Sequence, residues 1–131
     1  MDLFDSTVII DYLRGNSQAA EYINDILRKN LPILISVATH AELLIGAKNK
    51  KDQIRLEKTL IPFTPVPITK EISGLAIIII KKYALSHGIH ILDSFIAATA
   101  ITQNYTLVTS NTKHFQMIKN LSLKPWPIEN K

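Results

Sequence analysis

Short, nearly unbroken apolar runs alternate along the chain with longer stretches in which apolar positions recur every three or four residues. The first pattern is that of strands buried on both faces, the second that of helices with one face on a core. The opening run ends in Asp5, Ser6 and Thr7 follow, and Val8, Ile9, Ile10 and Leu13 continue at helical spacing. A strand, a carboxylate and a helix are therefore expected in immediate succession. Arg14-Gly15-Asn16-Ser17 predicts a helix stop and a new N-cap, with a second helix through Ala19, Tyr22, Ile23, Ile26 and Leu27 towards Arg28.

Pro32 to Val37 predicts the second strand and Thr39 to Lys48 the helix after it. The charged segment Lys48 to Lys58 is either a loop into another helix or one solvated helix. Pro62, Pro65 and Pro67 restrict Phe63 to Val66 to a short strand near a sheet edge. A long helix is expected from Thr69 or Lys70 to Ser86, stopped by Gly88, followed by an alanine-rich helix from Leu92 to Gln103. Tyr105 to Thr109 reads as a strand, His114 to Asn120 as a short helix, and Leu121 to Lys124 as a last strand.

Strands alternating with helices imply an α/β fold, a three-layer α/β/α arrangement with a central, mostly parallel sheet. One domain is expected over residues 1–131. Right-handed crossovers bring the carboxyl ends of parallel strands to one edge, where such sheets hold ligands.

Composition narrows the class. A hydrophobic fraction of 47% with 20% charged residues argues against disorder. The absence of cysteine excludes disulfides and thiolate zinc sites and fits a reducing cytoplasm. The longest apolar run, Leu75 to Ile80, falls far short of the ~20 residues that span a bilayer, and the acidic start is unlike a secretory signal. A soluble cytoplasmic protein with no membrane partner is the expectation. A net charge of +4 is compatible with a polyanionic partner without requiring one.

Three acids stand out: Asp5, Glu42 and Asp93. Each has a purely structural explanation. Asp5 and Asp93 suit helix N-caps, and Thr39 with Glu42 has the spacing of a capping box. Against this, Asp93 interrupts the apolar stretch IHILDSFIAATA and Glu42 lies between Ala41 and Leu43-Leu44-Ile45. A carboxylate buried there without a partner costs several kcal/mol, on the order of 2–7 for a neutral polar group and more for a charge. In the expected fold all three acids lie in or near first turns of helices that meet at one edge. Clustered carboxylates call for a hard divalent cation, and oxygen ligands suit Mg²⁺ or Mn²⁺. Such an ion contacts phosphate oxygens and activates water, the chemistry of metal-dependent nucleases.

Four motifs then coincide: DSTVIIDYL around Asp5, S-x-x-T-x-x-E-L-x-x-G from Ser36 through Thr39, Glu42 and Leu43 to Gly46, LDSFIAATA around Asp93, and LVTSNTKHF from Leu107 to Phe115. In this order and spacing the chain resembles PIN domains, and among them VapC-type toxins of bacterial and archaeal toxin–antitoxin pairs. The resemblance covers essentially the whole chain. It implies a Mg²⁺- or Mn²⁺-dependent endoribonuclease acting on RNA, commonly a homodimer, inhibited by an antitoxin whose C-terminal segment occupies the active-site groove.

By the same match Asp5, Glu42 and Asp93 form the acidic metal site, Thr7 stands beside the first acid, and Thr109 supports the site by hydrogen bonding. Many members carry a fourth acid where this chain has Asn111. An amide there can offer an oxygen or orient water but removes one charge, so a second metal should bind weakly. His114 is expected in a surface or packing role more than an assisting one. Arg14, ending the first helix, is the basic residue best placed to face the groove, whereas Lys48, Lys50, Lys51, Arg55 and Lys58 fit a solvated face. Asp11 is expected on the exposed side of the first helix, and Tyr12 and Trp126 in packing.

Two rivals remain. One is a catalytically weakened scaffold that binds RNA or a partner without turnover. The other is a receiver-like phosphoacceptor domain, for which no acid follows the Phe63 to Val66 strand.

Overall fold

The computed structural model describes residues 1–128. In chain order the elements are β1 (Asp2–Phe4), α1 (Ser6–Leu13), α2 (Ser17–Arg28), β2 (Ile33–Ser36), α3 (Val37–Ile45), α4 (Lys50–Thr59), β3 (Phe63–Val66), α5 (Lys70–His87), α6 (Ile91–Gln103), β4 (Thr106–Thr109) and β5 (Ser122–Pro125). A short 3-10 turn spans Thr112–His114.

The strands form a five-stranded sheet of order β3-β2-β1-β4-β5, and every neighbouring pair is parallel. Successive strand residues point to opposite faces, which divides the apolar runs between two cores. Leu3, Leu34 and Leu107 pack with Ile72, Ile79 and Ile96 of α5 and α6. Phe4, Ile33, Ile35 and Val108 pack on the other face with Val8, Ile9, Ile23 and Leu56 of α1, α2 and α4. The result is the expected three-layer α/β/α fold.

Local signals explain most boundaries. Asn16, Asn49 and Thr69 accept hydrogen bonds from the first turns of α2, α4 and α5. Gly88 ends α5 in the left-handed conformation at φ 62°. The charged segment is helix α4, and β3 with Pro65 lies at the sheet edge.

Three expectations need correction. Helix α3 begins at Val37, because Ser36 accepts a 3.0 Å bond from the Ala38 N–H and is itself the cap. Thr39 therefore lies inside the helix and makes no capping box with Glu42. The helix expected at His114 to Asn120 is replaced by the 3-10 turn, after which Phe115 and Ile118 are drawn into the core and the chain reverses at Asn120, φ 68°. Asp11 is not a free surface acid: it accepts a 2.8 Å bond from Trp126 Nε1, and the buried indole packs edge-on against Tyr22.

The strand order also bears on function. From β1 the chain builds outward through β2 to β3, then crosses back over α5 and α6 to place β4 on the other side of β1. The crevice between the carboxyl ends of β1 and β4 is thus a topological switch point, the usual ligand position in such sheets. Receiver-like domains order their strands 2-1-3-4-5, so the phosphoacceptor alternative fails on topology. Among the described residues no helix is long and apolar enough to cross a membrane.

Candidate active site

Asp5 follows β1 and Thr109 ends β4, so the two meet at this switch point. The Asp5 side chain is 3% exposed and does not cap α1 although it occupies the N-cap position. Instead its Oδ2 accepts bonds from the Thr109 hydroxyl at 2.6 Å and from the Thr7 hydroxyl at 3.3 Å. Those hydroxyls are oriented in turn: the Asn111 N–H donates to Thr109 Oγ1 at 3.0 Å, and the Ser110 N–H donates to Thr7 Oγ1 at 3.1 Å. Both side-chain donors fall on Oδ2, which leaves Oδ1 without a donor among the described residues.

Asp93 lies in the first turn of α6, whose N-cap position is held by His90, so it is not a capping acid. Its side chain is only 16% exposed, and its Oδ2 lies 3.4 Å from His114 Nδ1. Burial pushes the Asp93 carboxyl above the ordinary range, the nearby His114 draws it down, and Asp5 pushes it up again, with His90 a further lowering neighbour. His114 therefore has a contact at the site that its sequence position did not disclose, through the 3-10 turn that follows β4.

Glu42 projects from the middle of α3 rather than from its first turn, which corrects the expected placement of all three acids at helix starts. Burial raises its carboxyl, followed by the charges of Asp5 and Asp93. The three acids therefore sense one another across elements far apart in sequence. Thr39, three residues before Glu42 on α3, is fully buried with its hydroxyl unpartnered.

Glu42 also opens into a cleft of about 750 Å³, walled by Arg14 and Leu13 at the end of α1, Leu43 on α3, and Asp52 and Arg55 on α4. Arg14, expected to face the groove, lines this cleft. Asp5 and Asp93 do not line this cleft, although both act on Glu42 through their charges. The sequence does not disclose that the Asp52–Arg55 pair, 3.0 Å apart, borders the cleft; its i, i+3 spacing signals only the pairing itself.

The five-stranded parallel α/β/α sheet with Asp5 at its switch point is the frame of a doubly wound α/β domain, and the sequence names the family: residues 3–120 match the PIN domain family model, and the chain belongs to that family. Ribonuclease VapC19 of Mycobacterium tuberculosis is 32% identical over 122 residues, covering 92% of this chain and 97% of that protein. Ribonuclease VapC10 of the same organism is 37% identical over 122 residues, covering 92% of this chain and 90% of its own. Among solved structures, VapBC2 from Rickettsia felis bound to a DNA fragment from its promoter superposes with a TM-score of 0.79 at 26% identity, covering 95% of this chain and 98% of that one.

Proposed function

We propose that this chain is a metal-dependent endoribonuclease, the toxin of a VapBC-type toxin–antitoxin pair. Similarity to proteins named Ribonuclease VapC over nine-tenths of the chain supports the class, and the structural likeness to a VapBC complex supports an antitoxin partner. The observation that carries the site is the buried Asp5 carboxylate, fixed at one oxygen by Thr109 and Thr7 and facing the charges of Glu42 and Asp93.

The donor set is all oxygen and carries more negative charge than its surroundings neutralise. Among the described residues no three His, Cys, Asp or Glu side chains stand close enough to enclose an ion. That disfavours a closed protein cage of the structural-zinc type. An all-oxygen donor set suits Mg²⁺ or Mn²⁺, which one or two carboxylates hold while several waters remain. When bound, such an ion supplies a hard Lewis acid for phosphate oxygens and lowers the pKa of water. Asp5, Glu42 and Asp93 would supply those carboxylates, one or two touching the ion and the rest reaching it through its waters.

The chain's own groups account for the rest. Thr109 and Thr7 aim Asp5 and leave its Oδ1 free for either of two tasks, holding the ion or taking the proton of the attacking water. Asn111 supports Thr109 through its backbone N–H. Arg14 offers a guanidinium on the cleft wall to a substrate phosphate. The protein is expected to act as a homodimer.

The test is cleavage of a structured RNA by purified protein in Mg²⁺, in Mn²⁺ and in EDTA, beside Asp5→Asn. Discrete fragments that need the metal and disappear in the variant are expected. A folded protein that binds RNA but cleaves nothing would overturn the nuclease function and leave a binding scaffold in which Asn111 marks the lost acid.

A further inference from the structure

Two clefts join along α4. The one that Glu42 and Arg14 line shares Asp52 and Arg55 with a second, of about 570 Å³, bounded also by Lys48, Lys51, Ile54 and Lys58. The two clefts therefore adjoin at Asp52 and Arg55, which places the cationic face of α4 next to the cleft that Glu42 lines.

Helical geometry explains the composition of this face. Lys51, Ile54, Arg55 and Lys58 are spaced i, i+3, i+4 and i+7, so they share one face, while Leu56 points the other way into the core. All four of those residues are exposed. Asp52 engages Arg55 at 3.0 Å and the Lys48 N–H at 3.1 Å, whereas Lys51 and Lys58 form no ion pair among the described residues. Glu57, the other acid of α4, falls outside this face. Cations kept together without partners do nothing for the fold, since like charges on one helix face repel.

We infer that this face of α4 is a phosphate track that holds the RNA strand flanking the scissile bond, with Lys51, Arg55 and Lys58 as backbone contacts. The inference rests on the proposed nuclease function for its substrate. From Lys51 to Lys58 the helix rises ~10 Å at 1.5 Å per residue, long enough to touch more than one phosphate of a strand. The chemistry favours nucleic acid over an acidic peptide. A peptide docks through apolar anchors, and Ile54 is the sole apolar side chain in this second cleft, with no aromatic beside it. Cations without base-stacking groups position a backbone and read no sequence.

The test is binding of a mixed-sequence single-stranded 20-mer RNA in EDTA, which prevents metal-dependent cleavage, followed across a salt series by fluorescence anisotropy. Lys51→Gln/Lys58→Gln is compared with wild type and with Lys81→Gln/Lys82→Gln on α5, which removes the same charge elsewhere. Each lost phosphate contact should lower the slope of log K against log salt by about 0.7, so the α4 pair should lower it by about 1.4, with affinity reduced roughly tenfold at low salt. The α5 pair should leave both unchanged. Equal effects from the two pairs, no effect from the α4 pair, or no RNA binding by wild type would overturn the track. So would a loss confined to binding of polyglutamate, which would assign this face to a protein partner. Cleavage by wild type in Mg²⁺ or Mn²⁺ decides the nuclease function separately, so the two can fail independently.

Discussion

The Thr109 hydroxyl donates a 2.6 Å hydrogen bond to Oδ2 of Asp5, joining residues 104 positions apart where the ends of β1 and β4 meet. Both side chains are buried. A carboxylate in that position needs such a donor, because leaving it unpartnered carries the full cost of desolvation.

Thr109→Val keeps the shape and deletes the donor. Asp5 then retains only the 3.3 Å contact from Thr7, and the Asn111 N–H loses its acceptor. Stability should fall by about 1.5–3 kcal/mol in urea unfolding, and cleavage by roughly ten- to a hundredfold as the acid loses its orientation. Thr109→Ser should recover most of both. Full activity in the valine variant would show that Asp5 does not depend on this bond.

Asp93→Asn should reduce RNA cleavage by at least about a hundredfold, the scale of a few kcal/mol of lost transition-state stabilisation. The fold should survive, since the amide fills the same space and its oxygen still reaches His114. Circular dichroism and single-turnover rates measured together check both halves, and undiminished cleavage would remove Asp93 from the site.

Glu42 gives a pH dependence. Its folded-state carboxyl is raised by burial and then by Asp5 and Asp93, so the unfolded chain ionises first as pH rises. Over that window the folded state binds more protons than the unfolded one, and stability falls with rising pH. Metal-free Glu42→Gln should therefore melt higher than wild type at pH 7, with the difference closing below pH ~4, where the carboxyl is protonated in both states. A melting-temperature series from pH 3.5 to about 8 in EDTA tests the sign. Mn²⁺ should raise the wild-type melting temperature more than that of the variant.

Asn111 is exposed and its side chain makes no hydrogen bond among the described residues, so Asn111→Asp changes charge with little packing cost. A further carboxylate should tighten Mn²⁺ binding, by about tenfold for each 1.4 kcal/mol of added attraction, and lower the stability of the metal-free protein by repulsion. Calorimetric titration measures the first and thermal melting the second. Unchanged affinity would place residue 111 outside the ion's reach.

Much of the fold was legible because it follows from local rules. A short run such as Ile33 to Ser36, bounded by Pro32, reads as a doubly buried strand, and Asn16, Thr69 and Gly88 mark helix ends by chemistry that acts within a few residues. The misplacements had the same origin. Ser36 and Thr39 both suit a cap, and only the length of β2 decides that Ser36 takes the position. The turn at Thr112–His114 replaces a helix because Phe115 and Ile118 must reach the core from a chain that reverses at Asn120. Asp11 reads as a surface acid in the sequence because nothing within its own helix discloses Trp126, 115 residues away.

By itself the sequence determined the parallel α/β/α class, the family, and the three acids as the residues to examine. Their types and neighbours carry that information without coordinates, since a charge among apolar residues is costly wherever it is buried. Tertiary structure alone decided which oxygen of Asp5 is held and which is free, that His114 faces Asp93, and that the cleft lined by the lysines of α4 adjoins the one lined by Glu42. Those relationships join residues from separate elements, and their distances are fixed by sheet order and helix packing, which no local pattern along the chain encodes.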